Sequence, residues 1–168
     1  MTAAPPASLS PDHGLLVHRA AIVDNWVDHN GHMNVAAYLT VFDAAICKFC
    51  TQCGIGPDRI GETGKTVFVS QANIVYRHEL HLGSPIQVHL RILALGTDRL
   101  HVYMTMQDEQ HGHLAAANEQ LLVCVGIQTR RPAPLSTDVH ETFKAIFESQ
   151  KHLPAPRYAG RAISLRHD

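Results

Sequence analysis

Residues 35–53 place apolar side chains at Val35, Tyr38, Leu39, Phe42, Ala45, Ile46 and Phe49. That is the three-and-four spacing of a helix with a buried stripe, roughly five turns long. Gly54, Gly56 and Pro57 close it. A helix this apolar cannot rest on a surface, so other elements must enclose it. Leu15–Val23 reads as a first strand, ahead of a loop over residues 24–34. After the helix come four strand-like runs, Thr66–His78, Pro85–Leu95, Leu100–Asp108 and Leu114–Thr129. Their separators, Leu82-Gly83-Ser84, Gly96-Thr97-Asp98 and Glu109-Gln110-His111-Gly112, carry turn chemistry at hairpin lengths. Short turns between successive strands predict an antiparallel meander. The simplest packing is an α+β domain: a five-stranded curved antiparallel sheet wrapped around one central helix, with a second helix at Thr137–Lys151.

At 168 residues the chain has the length of one domain with a real core. We divide it into a flexible tail over residues 1–14, a domain over 15–153 and an extension over 154–168. A net charge of −1 and a pI near 6.9 give no overall pull toward nucleic acid or anionic lipid. No apolar run reaches the ~18 residues of a membrane span. The tail, with Pro5, Pro6 and Pro11, lacks the basic and apolar regions of a secretory leader, so a cytoplasmic location is expected. The thirteen histidines are scattered and read as a solvated surface that charges near pH 6.5.

The chemistry concentrates just before the long helix, in Val27-Asp28-His29-Asn30-Gly31-His32-Met33-Asn34-Val35. A helix start presents unpaired N–H groups at the positive end of a dipole, suited to a developing negative charge. Asp28, seven residues before Val35, can supply a nucleophile or a general base at the same place. Each residue also has a plainer reading. Asp28 can be a turn or cap residue, and Asn34 and His32 can cap the helix. Asn30 reads as a turn former that steadies Asp28.

Asp28, Gly31 and Tyr38 are similar to the Asp-x-x-Gly-x₆-Tyr pattern of hydroxybenzoyl-CoA-type thioesterases. Asn30-Gly31-His32-Met33-Asn34 looks like the Asn-Gly-His-x-Asn signature of acyl-carrier thioesterases and their bacterial relatives. Together with the element order, these residues resemble the hotdog fold. A closer likeness runs over residues 15–163. Arg99-Leu100-His101, Glu119-Gln120 and the tail Leu153-Pro154-Ala155-Pro156 through Ala159-Gly160-Arg161-Ala162-Ile163 resemble the betainyl-CoA thioesterases of carnitine breakdown.

The resemblance implies catalysis by Asp28, an oxyanion donor at the Val35 backbone N–H, and supporting roles for Asn34 and His32. It places Asn30, Gly31, Trp26 and Tyr38 around the substrate. It further implies an acyl-CoA substrate, no cofactor or metal, and a homodimer or dimer of dimers with the site between subunits. Val35 stands where many betainyl-CoA members carry a polar residue, which leaves the acyl group open. The rivals are a thioesterase for another acyl-CoA or an acyl-carrier protein, and an acyl-CoA-binding domain without catalysis. A sensor would have no need of Asp28, and a hydratase of this fold would pair its Asp with a His in a different motif.

A trimethylammonium acyl group favours aromatic faces. Of Trp26, Tyr38, Phe42, Phe68 and Tyr76, Trp26 lies beside the loop and is the cage candidate. Arg59, Lys65, Arg77, Arg91 and Arg99 are candidates for the CoA pyrophosphate. Cys47, Cys50 and Cys53 resemble part of an iron–sulfur run, but they fall within the helix and lack a fourth ligand, so they read as small buried apolar groups. His111 and His113 are expected at a turn tip without a carboxylate or thiol partner, solvated rather than zinc-binding.

Overall fold

The computed structural model describes residues 9–10 and 14–165. The elements in order are β1 (Leu9–Ser10), β2 (Gly14–Ala21), α1 (Val35–Gln52), α2 (Ile60–Thr63), β3 (Lys65–Tyr76), β4 (Pro85–Leu95), β5 (Arg99–Asp108), β6 (Leu114–Gly126) and α3 (Thr137–Ser149). The strands form one antiparallel sheet in the order β1-β2-β4-β5-β6-β3. The five long strands and the single long helix make the hotdog arrangement; β1 adds two residues at one edge, pairing Leu9 with Leu15 and Ser10 with Gly14. The rest of the expected tail lies outside the described residues.

The serial meander requires correction. β4, β5 and β6 do succeed one another in the sheet, but β3 lies at the far edge against β6, pairing Val67 with Cys124 and Tyr76 with Ala116. Its composition explains the placement: Ser70, Gln71, Ala72 and Asn73 give its middle too little apolar surface for a central position, where both faces are covered. The connection over residues 77–84 carries the chain back across the sheet and buries Leu80.

One face of α1 supplies the core. Ala37, Tyr38, Val41, Phe42, Ala45, Ile46, Phe49 and Cys50 are buried against Leu90, Ile92, Leu100, Met104 and Leu122 of the sheet and their neighbours. Enclosure on all sides is not found: Val35 (62% exposed) and Leu39 (45%) face away from the sheet. One curved sheet of this size covers only one side of a helix about 10–12 Å wide.

α3 closes the end of the core by stacking Phe143 on Phe49, with ring centroids 5.5 Å apart. At its C-terminus, buried Gln150 takes over where β2 stops pairing with β4. Its Nε2 donates to the Leu90 carbonyl (3.0 Å), and its Oε1 accepts from the Ile92 N–H (2.9 Å). One carboxamide thereby stands in for a strand residue.

Candidate active site

The loop before α1 is built by its own polar groups. Asn30 N–H donates to Asp28 Oδ1 at 2.8 Å, and Gly31 N–H donates to the Asp28 carbonyl at 3.0 Å. This is an Asx-supported turn, and Gly31 sits at φ +79°, a conformation glycine adopts without a Cβ penalty. Val27 and Met33 bridge across the base of the turn. Met33 N–H donates to the Leu80 carbonyl at 2.7 Å, tying the loop to the β3–β4 connection.

Asn34 ends the loop as the helix cap. Its Oδ1 accepts from Ala36 N–H at 2.8 Å and its carbonyl from Ala37 N–H at 3.0 Å. Its Nδ2 donates to Asp28 Oδ2 at 3.4 Å. The first helical N–H, that of Val35, has no acceptor among the described residues. The Asn30 N–H holds the Asp28 carboxyl below the ordinary aspartate range, helped by the charges of His29 and His32 and by the Asn34 amide, while desolvation opposes them. An ionised carboxylate and an available helix N–H therefore stand on one short loop.

Beside the loop is a cavity of about 180 Å³ lined by His32, Met33, Val35, Tyr38, Tyr76, Arg77, His78 and Glu79. Tyr38 and Tyr76 meet edge to face at 5.2 Å. The Tyr38 hydroxyl donates to the His78 carbonyl (3.3 Å) and the Tyr76 hydroxyl to the Val35 carbonyl (3.1 Å). Burial, then the charges of Glu79 and Tyr76, push the Tyr38 phenol up to about 12, so it remains a donor.

Of the residues singled out in the sequence, the structure brings His32, Val35 and Tyr38 to this cavity. Asp28, Asn30, Asn34 and Trp26 do not line it. The imidazole of His32 faces Glu79 at 3.8 Å and the Met33 carbonyl at 3.5 Å. Gly31 offers its carbonyl to His81 Nδ1 at 3.2 Å. Trp26 is half-buried with its ring against the core, while its carbonyl accepts from Asn34 N–H at 2.8 Å. Tyr76 is one of five candidate rings in the sequence, but nothing local singles it out, and His78 and Glu79 carry no site signal, because all three arrive from the far edge strand and the connection after it. Their only local signal is Leu80, a lone apolar residue in Arg77-His78-Glu79-Leu80-His81.

Among the five basic candidates, Arg59 pairs with Glu62 (3.0 Å), Arg99 with Asp98 (2.8 Å), and Lys65 donates to the Pro134 carbonyl (2.6 Å). Arg91 donates to the Pro154 and Leu153 carbonyls. Arg77 alone lines the cavity. The residues quoted from the C-terminal half also converge. His101 Nε2 lies 2.6 Å from Glu119 Oε1, Gly160 N–H donates to Glu119 Oε2 at 2.7 Å, and Asn73 Nδ2 donates to the Arg161 carbonyl at 2.7 Å. They fasten the tail to the outer face of the sheet.

The metal-like residues also take definite places. Cys47 and Cys50 lie within α1 and Cys53 caps it; burial pushes the Cys53 thiol up to about 12 and Cys50 higher still, so both stay protonated. His111 does have a carboxylate partner, contrary to expectation: its Nδ1 lies 2.8 Å from Asp108 Oδ2. The turn that reverses β5 into β6 folds the ring back onto a residue three positions earlier. Among the described residues no group of three or more His, Cys, Asp or Glu side chains is arranged to hold a metal ion, and no helix is long and apolar enough to cross a membrane.

A family model for the thioesterase-like superfamily matches residues 22–143. The chain belongs to that superfamily. It is a thioesterase by family, and its relatives narrow the likeness. It is 28% identical over 151 residues to a betainyl-CoA thioesterase of Pseudomonas aeruginosa, covering 90% of this chain and 95% of that protein. It is 32% identical over 149 residues to an L-carnitine dehydrogenase/betainyl-CoA thioesterase of Ruegeria pomeroyi, where the match takes in 89% of this chain and 30% of the longer protein. A Staphylococcus aureus protein solved in complex with CoA superposes with a TM-score of 0.85 at 25% identity, over 95% of this chain and 100% of that one.

Proposed function

We propose that this protein hydrolyses a short, polar acyl-CoA thioester, with betainyl-CoA as the preferred substrate. The observation that carries the reading is that Asn34, the cap of α1, also donates to the ionised Asp28 carboxylate and so holds it near the helix start, where the Val35 N–H lies. The thioester carbonyl oxygen accepts from Val35 N–H as charge develops on it. In one route Asp28 attacks the carbonyl carbon, the C–S bond breaks to release the CoA thiolate, and water cleaves the resulting mixed anhydride to free the acid and regenerate Asp28. In the other, Asp28 takes a proton from the attacking water and the tetrahedral intermediate expels the same thiolate, which leaves with that proton. Asn34 holds that carboxylate and the helix start in one geometry. Metal and cofactor have no part in this scheme.

The cavity adds Tyr76 to the aromatic residues read as substrate-binding in the sequence, Trp26 and Tyr38. Tyr38 and Tyr76, with Glu79 beside them, line the cavity, and Trp26 does not. Exposed Tyr76 with the Glu79 carboxylate beside it suits a quaternary ammonium, while buried Tyr38 packs edge to face against Tyr76. A homodimer would complete the site: Asp28 does not line the cavity of its own chain, while Val35 and Leu39 present an uncovered apolar face that a second copy could cover.

Asp28→Asn tests the core of the proposal, because it keeps shape and removes the basic oxygen. We expect turnover of betainyl-CoA to fall by ~10²-fold or more, on the scale of a lost general base. Turnover within a few-fold of wild type in a folded protein rejects Asp28. Hydrolysis of neutral acyl-CoAs alone, in a panel with wild type, rejects the betainyl assignment.

A further inference from the structure

On the outer face of the sheet, the segment after α3 folds over β4 and β5 and roofs a cavity of about 360 Å³. Its polar lining includes Arg77, His78, Arg91, Thr105, Gln107 and Arg157, and no carboxylate takes part. The size falls in the range of small-molecule sites. Buried Tyr158 anchors the roof by packing with Tyr103 and Ala117. The guanidinium groups of Arg77, Arg157 and Arg161 stand 5.5, 5.3 and 5.1 Å from its ring centroid.

Three guanidinium groups around one ring repel each other, and Arg91 adds a fourth positive charge. Arg77, Arg91 and Arg157 have no carboxylate partner among the described residues. The η nitrogens of Arg91 are spent on the Pro154 and Leu153 carbonyls at 2.6 and 3.2 Å. Its Nε and the Thr105 hydroxyl oxygen are both buried without a hydrogen-bond partner. Buried polar atoms of this kind are rare unless something completes them. What completes a set of cationic groups, an N–H and a hydroxyl is an anion with several acceptor oxygens.

Arg77 and His78 also line the cavity beside the catalytic loop. A ligand can therefore reach from one cavity to the other around these two residues. We propose that the roofed cavity binds the phosphorylated nucleotide end of the thioester substrate, with Arg77, Arg157, Arg91 Nε and the Thr105 hydroxyl on its phosphates. This rests on the acyl-CoA reading for the identity of the ligand, while the cavity and its charge stand apart from it. The C-terminal segment then recognises substrate rather than merely covering the sheet.

The probe is adenosine 3′,5′-bisphosphate, the nucleotide end of CoA without its pantetheine arm and outer phosphate, titrated calorimetrically at low salt against adenosine and inorganic phosphate. We expect the bisphosphate to bind at least tenfold tighter than either control. Arg157→Gln, at an exposed position, should weaken it roughly 10- to 100-fold, the scale of a lost charge-assisted hydrogen bond. The same variant should lower the kcat/KM ratio of acyl-CoA to acyl-pantetheine by about tenfold, mainly through KM. Equal binding of inorganic phosphate, no binding of the bisphosphate, or binding indifferent to Arg157→Gln each overturns the proposal. A protein that binds the bisphosphate but hydrolyses no thioester refutes the proposed function and leaves this site standing. One that hydrolyses acyl-CoA and acyl-pantetheine equally well refutes the site and leaves the function.

Discussion

Asn34 performs two tasks that substitution can separate. As the cap of α1 it accepts from Ala36 N–H at 2.8 Å, and as a donor it reaches Asp28 Oδ2 at 3.4 Å. Asn34→Ala removes both. Loss of such a cap costs ~0.5–2 kcal/mol. α1 keeps its eight buried side chains, so the helix itself survives. For a domain of this size ~1 kcal/mol corresponds to a fall in Tm of about 2–4 °C. Asn34→Asp keeps the cap acceptor and places a carboxylate at the positive end of the helix dipole, a favourable position, but sets it next to Asp28. These effects oppose each other, so stability near wild type is expected.

The kinetic signature differs between the two variants. Asp28 sits below its ordinary range because the Asn30 N–H, and then His29, His32 and Asn34, favour its charged form. A neighbouring carboxylate disfavours that form and raises the pKa. In the proposed mechanism the reactive species is the carboxylate, so activity should be lost as pH falls through this pKa. The acid limb of kcat/KM must therefore move to higher pH in Asn34→Asp. It moves by less in Asn34→Ala, which loses only the contribution of the amide, the smallest of these. Thermal melts and a pH–rate profile from pH 3 upward, on a substrate without groups that titrate there, make the check. An acid limb for Asn34→Asp that superimposes on wild type would refute the placement of Asp28 as the titrating catalyst. An unchanged Tm for Asn34→Ala would refute the cap.

Tyr76→Leu should lower kcat/KM for betainyl-CoA relative to a neutral acyl-CoA of similar size by roughly 2- to 30-fold, the scale of a cation–π contact worth ~0.5–2 kcal/mol. Trp26→Ala should leave that ratio nearly unchanged, and the reverse ranking in paired kinetics would restore Trp26 as the cage. Gln150→Ala strips partners from the buried Leu90 carbonyl and Ile92 N–H, so chemical denaturation should show a loss of ~2–6 kcal/mol, built from ~1–3 kcal/mol for each orphaned group. A loss under ~0.5 kcal/mol, below the range for even one such group, would mean that water replaces the carboxamide.

The elements most legible in the sequence are those with strong local periodicity. α1 begins at Val35 and β4 spans Pro85–Leu95, as their patterns require, because apolar spacing and flanking turn residues agree there. Strand order is not legible in the same way. A hairpin signal says only that the chain reverses after a strand, whereas β3 takes its place through the weakness of its own middle, Ser70 to Asn73, against its neighbours. The site divides along the same line. Asp28, Gly31 and Asn34 announce themselves because one turn holds them. Tyr76, Glu79 and Arg157 reach the two cavities only through pairings made more than thirty residues away from that turn, and no local pattern carries such information.

The connection over residues 77–84 has a bearing on how the molecule comes apart. It is stitched to the loop that bears Asp28 by Met33 N–H on the Leu80 carbonyl, and to the end of β2 by Ile22 N–H on the Ser84 carbonyl and Gly83 N–H on the Ile22 carbonyl. β3 on one side of it pairs with a strand some fifty residues later, a contact expected to form late because a long loop must close first. The edge strand and the loop that bears Asp28 thus belong to one cooperative unit. In native-state hydrogen exchange the Met33 amide should open together with the amides of β3, ahead of those in β4 and β5. A chain that has lost its edge strand, and with it exposed the β6 edge to self-association, should already have lost the loop that bears Asp28, so if the proposed site is right, turnover reports completed topology and not merely a collapsed core.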